Sequence, residues 1–235
     1  MKLHYSFYIL MIFSSVCFYS CKDATSQDIT FISDITEPYY AGFSFEDHLK
    51  VSGLSENELN GEHVRIMTIS DIGMSNVLET SIEPIKYVLL SNEGIRGKEI
   101  DSFYLKLHHD FSGRRTCDSG KTQSVIFKVI AGELNRMAKS TSNRKMLFIN
   151  SDLYEHSVLA DFYSKETLAQ LRQQPTEVSK LFLDKYPLLD LSGIEVYIIY
   201  QPGSFEDDEK FEIVSTFYKN LFESHGAIVY IQSNI

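Results

Sequence analysis

Acidic residues follow apolar stretches at several points of this sequence. The stretch FISDITEP places Asp34 directly after an apolar run, with a hydroxyl, Thr36, two residues later. Two further apolar stretches end in the acids Asp71 and Asp152. A carboxylate in such a position can attack an electrophile, bind a hard divalent cation or cap the helix that follows. The choice between these roles depends on whether the fold brings the acids together.

Other potentially reactive groups give weaker signals. His156 lies in YEHSV, where we expect it to face solvent or to stabilise a loop rather than to bind a metal. His108 and His109 precede Asp110. Adjacent residues of a strand point to opposite faces, so we do not expect the two histidines to share a metal, and we interpret this stretch as a loop edge. The sequence contains no Gly-x-Ser-x-Gly elbow, Walker-type phosphate loop, paired cysteines or His-Glu-x-x-His motif.

The elements that must position these groups alternate between strands and helices. Strands are predicted at 28–33, 63–70, 144–150, 193–200 and 227–231, with shorter candidates at 85–90 and 102–107. Apolar residues at helical spacing predict helices within 121–140, 167–173, 175–187 and 208–226.

Strands separated by helices predict one α/β domain over residues 28–235. We expect a doubly wound, mostly parallel sheet flanked by helices in three layers. Ligands of such folds bind beyond the carboxyl ends of the strands, which is where Asp34, Asp71 and Asp152 are expected to lie. The segment 71–120 is predicted to be long and irregular, and such segments often carry function.

Two adjacent cations stand out in an otherwise acidic chain. Arg114 and Arg115 lie in the stretch DFSGRRT. They could pair with acidic groups of a partner protein, or with Asp34 and Asp152 at the edge of the sheet. A solvated loop is the alternative.

Three stretches together resemble the von Willebrand factor type A domain. They are FISDITEP, the helix beginning at GKTQS, and KMLFINSDLYEHS. The resemblance extends over most of residues 28–235 in element order. It implies a protein-binding role and one divalent ion, usually Mg²⁺. The ligands that it implies are Asp34, Thr36, Thr122 and Asp152, with Ser124 as a substitute for Thr122. Pro38 stands where the family has a second hydroxyl, which implies a weak or lost metal site.

An enzymatic alternative also starts from Asp34. An apolar strand that ends in Asp-x-Thr resembles the haloacid-dehalogenase-like phosphohydrolases, whose first acid attacks phosphorus. Thr36 stands where those enzymes have a second acid for proton transfer. Lys121 and Asp152 would have to supply the remaining groups at poor spacing. We therefore expect a non-enzymatic binding or scaffold protein, with the metal-dependent phosphohydrolase as the alternative.

The first 20 residues predict where the protein resides. Lys2 precedes an apolar run of about 15 residues, and Ser20-Cys21 follows it, which is the pattern of a secretory signal. The sequence FYSC resembles the lipobox of bacterial lipoproteins. That resemblance implies cleavage before Cys21, acylation of Cys21, and a short tether over 21–27. Lys22, in place of an aspartate, favours the outer membrane over the inner one.

The net charge limits the classes of partner, and the cysteine count limits the possible disulfides. The chain has 22 basic and 32 acidic side chains, a net charge of −10, and loss of Lys2 with the signal gives −11. This balance argues against nucleic acid and against electrostatic binding to anionic lipid. Cys117 is the one cysteine left besides the anchor, so no intrachain disulfide is expected. The expected partner is another envelope protein.

Overall fold

A central six-stranded sheet organises the protein. The computed structural model describes residues 24–34, 42–69, 77–85, 93–113 and 124–235. Within these residues the strands are β1 (Ser26–Asp34), β2 (Gly61–Ile69), β3 (Val77–Ile82), β4 (Arg144–Asn150), β5 (Ile194–Ile199) and β6 (Ile228–Gln232). They lie in the order β3-β2-β1-β4-β5-β6, and every neighbouring pair is parallel except β2 with β3. The predicted fold class is confirmed.

Helices cover both faces of the sheet. They are α1 (Phe45–Val51), α2 (Glu93–Ser112), α3 (Ile126–Ala138), α4 (Lys165–Gln173), α5 (Pro175–Lys185) and α6 (Phe205–Glu223). The four helices α3 to α6 pack on one face and α1 and α2 on the other, so two separate apolar clusters sandwich the sheet. β1 is buried along almost its whole length because it lies between β2 and β4 under both layers.

Two polar residues of β1 are buried beneath α3 and take their partners from that helix. Arg136 donates two hydrogen bonds to the Asp28 carboxylate, at 2.9 and 2.7 Å. The Thr30 hydroxyl donates to Glu133 at 2.7 Å. These bonds satisfy polar groups that would otherwise be costly to bury.

The structure corrects the prediction between residues 71 and 113. The stretch 102–107, predicted as a strand, belongs to helix α2, as do the histidines of 108–110 that were interpreted as a loop edge. Ile100, Phe103 and Leu107 face the core at helical spacing, whereas a six-residue window shows only an alternation of polar and apolar residues. β3 was not predicted, because only Thr80 and Ile82 of this edge strand are buried. The strand candidate 85–90 lies almost wholly outside the described residues.

The length and apolar character of the described helices bear on whether they could span a membrane. None of them is both long enough and apolar enough to cross a bilayer.

Candidate functional site

Asp34 ends β1 at the carboxyl edge of the sheet. Ser33 pairs with Asn150 across β1 and β4, so Asp34 lies opposite Ser151, the first residue after β4. The Ser151 hydroxyl donates a hydrogen bond of 2.9 Å to Asp34 Oδ2, and both residues are buried. The structure thus brings the two predicted acids Asp34 and Asp152 to the same edge of the sheet, joined through Ser151.

A tight bend follows β4 and turns the chain across this edge. The Leu153 amide donates to the Ser151 hydroxyl and the Tyr154 amide donates to Asp152 Oδ1, both at 2.9 Å. Leu153 has a φ of 64°, which is unusual for a residue other than glycine. Its side chain is fully buried, so packing and the two turn bonds hold it there.

Glu155 is a buried acid at this edge whose role was not predicted from the sequence. Its Oε2 accepts the amide hydrogens of Ile126 and Phe127, at 2.9 and 2.8 Å, and so satisfies the first turn of α3. Burial raises the pKa of the Glu155 carboxyl, and the negative charge of Asp34 raises it further. Glu155 lies within the stretch SDLYEHS, but it caps a helix that begins about 30 residues earlier in the chain. A contact between such distant segments leaves no local pattern in the sequence.

The predicted metal ligands are only partly described. Thr36 and Thr122 lie outside the described residues. Ser124 is described: it pairs through its backbone with His156, and its buried hydroxyl has no hydrogen-bond partner among the described residues. Within the described ranges, no three His, Cys, Asp or Glu side chains are grouped to hold a metal.

The donors at this edge nevertheless suit Mg²⁺ chemically. Magnesium prefers hard oxygens and keeps several waters. Asp34 and Asp152 offer carboxylate oxygens at this edge, and Ser124, which bridges to His156 in the loop after β4, offers a buried hydroxyl oxygen. The magnesium site stays a prediction.

Other predicted residues fall outside the described part of the chain. They are Cys21, Asp71, Arg114, Arg115, Cys117 and Lys121. His156 is described, and its imidazole Nδ1 lies 3.2 Å from Asp161 Oδ1. His156 also forms backbone bridges to Ser124 and Asp161, which is the loop-stabilising position that the sequence predicted.

A cleft of about 480 Å³ opens at the carboxyl ends of β4 and β5, beside the first turn of α6. Tyrosine rings and carboxylates dominate its walls. The residues that line it are Asp152, Tyr154, Tyr163, Tyr200, Gln201, Gly203, Ser204, Glu206, Asp207 and Lys210. Of these residues, only Asp152 was predicted from the sequence, because the cleft forms where the loop after β4 meets the loop after β5 and the start of α6.

Asp207 is the centre of the hydrogen bonding in this cleft. Its Oδ2 accepts the Tyr200 hydroxyl at 2.6 Å and the Gly203 amide at 2.9 Å. The Tyr154 hydroxyl lies 3.3 Å from both Asp207 Oδ1 and the Asp207 carbonyl oxygen. Burial raises the pKa of Tyr154, and the negative charges of Asp207 and Asp152 raise it further, so Tyr154 stays a neutral donor.

Comparison with known sequences found no matching family model and no matching curated protein. Solved structures do match. The PilB minor pilin from Streptococcus sanguinis shares 10% identity and a TM-score of 0.50, over 90% of this chain and 58% of that chain. The SpRpn10 VWA domain shares 13% identity and a TM-score of 0.35, over 90% of both chains. BatB from Bacteroides thetaiotaomicron, a conserved hypothetical protein, shares 10% identity and a TM-score of 0.38, over 90% of this chain and 92% of that chain.

These likenesses concern the fold alone. Of the three, PilB reaches a TM-score of 0.50, and the present chain spans 58% of its length. The order of the strands, the single antiparallel edge pair and the helices on both faces establish a three-layer α/β domain of the predicted class.

Proposed function

We propose that this protein is a membrane-anchored, non-enzymatic binding protein that holds another envelope protein at the carboxyl edge of its sheet. One observation carries the proposal: large apolar side chains lie exposed in the segments that follow β4 and β5, and one of them, Tyr163, lines the cleft. Val158 is 90% exposed, Phe205 77% and Tyr163 50%. All three lie in segments that follow β4 or β5. Aromatic and apolar side chains exposed beside a cleft are typical of protein interfaces.

The state of Asp34 supports binding rather than phosphoryl transfer. Its carboxylate is 1% exposed and accepts the Ser151 hydroxyl. A nucleophile must reach the phosphorus atom of a bulky phosphate substrate directly, and a buried, hydrogen-bonded carboxylate does not offer that approach. A single small cation such as Mg²⁺ needs much less room beside the same carboxylate. No observation in the described residues favours the phosphohydrolase alternative.

Site-specific photo-crosslinking in intact cells tests the binding role. Benzoylphenylalanine replaces Phe205 or Val158 at the carboxyl edge. Leu105 on α2 is the matched control, since it is 74% exposed but lies on a helix away from this edge. We expect one discrete crosslinked protein at both edge positions and none at Leu105. Equal crosslinking at Leu105, or none at the edge, would contradict the proposal.

We also propose that a Mg²⁺ ion at this edge takes part in binding the partner protein. Asp34, Thr36, Thr122 and Asp152 would hold the ion, and it would supply an open coordination position for a partner's carboxylate. Calorimetric titration of the full chain with Mg²⁺ and Mn²⁺ tests this. We expect heat of binding that Asp34→Ala abolishes and Asp184→Ala, an exposed acid on α5, leaves unchanged. Absence of heat with the wild-type chain would leave a metal-free binding protein.

Anchoring through Cys21 is tested separately by mass spectrometry and fractionation. The mature chain is expected to begin at Cys21 and to carry the mass of diacylglycerol and an added acyl chain, because two or more chains are needed for stable attachment. Cys21→Ala should lose this mass and leave the membrane fraction. A Cys117→Ala chain is the control and should remain lipidated.

A further inference from the structure

β6 is an edge strand without a charged side chain. Within the described residues it pairs with β5 on one side and has no strand on the other. Ile228, Tyr230 and Ile231 are between 41% and 50% exposed. The stretch 226–235, GAIVYIQSNI, contains no Lys, Arg, His, Asp, Glu or Pro. Proteins commonly use charged side chains or proline to keep other strands away from such an edge, and β6 has neither.

The backbone of β6 directs alternate residues away from β5. The Gln232 carbonyl accepts the Tyr200 amide at 3.1 Å, so Gln232 directs its backbone groups to β5. Bonds to a parallel neighbour come from every second residue, and Val229 and Ile231 therefore direct theirs outward. Lys219 Nζ donates to the Val229 carbonyl at 2.9 Å, as an outward carbonyl allows. A carbonyl oxygen has two lone pairs, so this bond leaves room for a second donor.

A row of aromatic rings crosses the sheet and ends at this edge. Its members are register partners on four successive strands: Phe31 on β1, Phe148 on β4, Tyr197 on β5 and Tyr230 on β6. Neighbouring rings stack with centroids 5.1, 4.7 and 4.9 Å apart, close to the spacing of about 4.8 Å between strands. Because Tyr197 stacks on one face of the Tyr230 ring, the other face points beyond the edge of the sheet.

We infer that β6 pairs antiparallel with β6 of a second copy of this chain, about a two-fold axis at Tyr230. This register sets Val229 opposite Ile231 of the second copy, so the residues with outward backbone groups exchange N–H···O=C bonds. Tyr230 then faces Tyr230 of the second copy in the non-hydrogen-bonded pair between them, where side chains approach most closely. The row of rings continues across the axis. β6 supplies both halves of this interface, which favours a second copy over a strand of another protein.

Charge and size set the strength of this pairing. Each copy has a net charge of −10, but β6 brings no acidic side chain to the axis. Glu223, on α6, is paired with Lys219 at 3.1 Å. Two five-residue strands form a small interface, below the roughly 1,200 Å² typical of stable complexes, so we expect a Kd of about 10–1,000 μM. This surface is separate from the carboxyl edge, and the inference does not depend on the proposed partner.

The antiparallel pair also fixes how two anchored chains could meet. It places the two copies of Ser26, where β1 begins, at opposite ends of the joined sheet. On membranes that hold the amino ends of the strands through Cys21, the geometry joins chains anchored in two facing bilayers. Chains in detergent micelles are free to adopt either orientation, so the pairing is tested there.

Disulfide trapping tests the register. The register sets Ile228 opposite Gln232 of the second copy, in a non-hydrogen-bonded pair with Cα atoms about 4.5 Å apart, which a disulfide can bridge. Ile228→Cys and Gln232→Cys chains, each also carrying Cys117→Ser, are mixed in detergent and oxidised with copper phenanthroline. We expect a disulfide-linked dimer in the mixture and at least about tenfold less in either chain alone, where the cysteines do not face each other. Equal crosslinking of one chain with itself, or none in the mixture, would overturn the inference.

Analytical ultracentrifugation of the full chain in density-matched detergent measures the self-association without added cysteines. Ile231→Lys places a charge on the exposed edge and should raise the Kd at least about tenfold. Ile95→Lys, at a position of α2 that is 57% exposed, is the matched control and should leave the Kd unchanged. A wild-type chain that stays monomeric up to about 1 mM would overturn the inference and leave the edge to a strand of another protein. An Ile231→Lys chain that associates as the wild type does would also overturn it.

Discussion

At the scale of single residues, the carboxyl edge depends on Ser151 as much as on the acids that the sequence draws attention to. Its hydroxyl donates to Asp34 and accepts the Leu153 amide. One side chain therefore joins β1 to the bend after β4. An acid after an apolar strand could be predicted from the sequence, but the serine next to it shows no pattern.

Ser151→Ala should destabilise the protein by about 1–3 kcal/mol, because a buried carboxylate loses a donor and a buried amide loses its acceptor. The free energy of unfolding from urea titration measures this. Ser81→Ala, at an exposed position of β3, is the control and should change the free energy of unfolding by less than about 0.5 kcal/mol. Equal effects of the two substitutions would show that the Ser151 bonds contribute nothing.

Two substitutions of Glu155 separate the contribution of its hydrogen bonds from that of its charge. Glu155→Ala removes the acceptor of two amide hydrogens at the start of α3 and should cost about 2–4 kcal/mol. Glu155→Gln keeps a carbonyl oxygen of the same length and should cost clearly less. Urea unfolding of both variants distinguishes the cap from the charge. A glutamine variant as unstable as the alanine variant would mean that charge, not hydrogen bonding, holds the turn.

At the scale of elements, an ionic network ties the edge strand β3 and its neighbour β2 to β1 and α3. Arg65 Nε donates to Glu133 on α3 at 3.1 Å and the guanidinium also contacts Glu79 on β3. His63 bridges Asp28 at 3.2 Å and Glu79 at 2.6 Å. Both ring nitrogens of His63 face carboxylates, so the protonated ring fits this position.

The network makes stability depend on pH in a defined direction. The hydrogen bond to Asp28 raises the pKa of His63 above its ordinary 6.5, and the bond to Glu79 adds to this. A raised folded-state pKa means that the stabilisation is fully present below pH 6.5 and is lost as pH rises through the folded value. The free energy of unfolding should therefore fall as the pH rises above 6.5.

His63→Gln should flatten that fall, as measured by urea unfolding across the pH series. His109→Gln is the matched control, because the His109 side chain is 87% exposed on α2. It should leave the pH dependence as in the wild-type chain. A fall of the same size in the His63 variant would assign the pH dependence to another group.

The individual elements differ in how well the sequence predicts them. β1, β4, β5 and β6 combine apolar runs with nearby turn residues, and α3 and α6 have apolar residues at helical spacing, so each was predicted close to its observed bounds. α2 and β3 were not. Their polar surfaces hide the core-facing residues. Contacts with residues that are distant in sequence fix their conformation: β3 pairs with β2, and α2 packs on the apolar cluster and donates hydrogen bonds from Arg96 to backbone carbonyls. The cleft could not be predicted, because its walls come from loops that are distant in sequence.

At the scale of the whole molecule, the chain enters β1 at the end of the sheet opposite to the cleft. The Thr25 amide donates to Asn60 Oδ1 and the Ser26 amide to Asn143 Oδ1, both at 2.9 Å. Two asparagines from different segments therefore fix the start of β1. β1 has nine residues, and the eight steps from Ser26 to Asp34 span about 26 Å.

If Cys21 carries the lipid, this geometry sets the orientation of the protein. The five residues from Cys21 to Ser26 can span at most about 18 Å. The amino edge of the sheet would then face the bilayer, and the carboxyl edge with its exposed Val158, Tyr163 and Phe205 would point away from it. A binding surface in that position is accessible to another envelope protein, which connects the anchor to the proposed function.

Fluorescence quenching in vesicles measures the orientation. Single dyes are attached at Thr141→Cys, exposed beside the amino edge, or Val158→Cys at the carboxyl edge, in an acylated Cys117→Ser chain. With a quencher on the lipid headgroups, we expect the dye at 141 to be quenched several times more than the dye at 158. Collisional quenching requires close approach, and the two edges of the sheet lie about 26 Å apart along β1. The Cys21→Ala chain supplies the unbound baseline. Equal quenching of the two dyes would mean that neither edge of the sheet is held toward the membrane, which contradicts the expected orientation. Stronger quenching at 158 would mean that the carboxyl edge faces the membrane, and a partner could then reach the cleft only from the bilayer side.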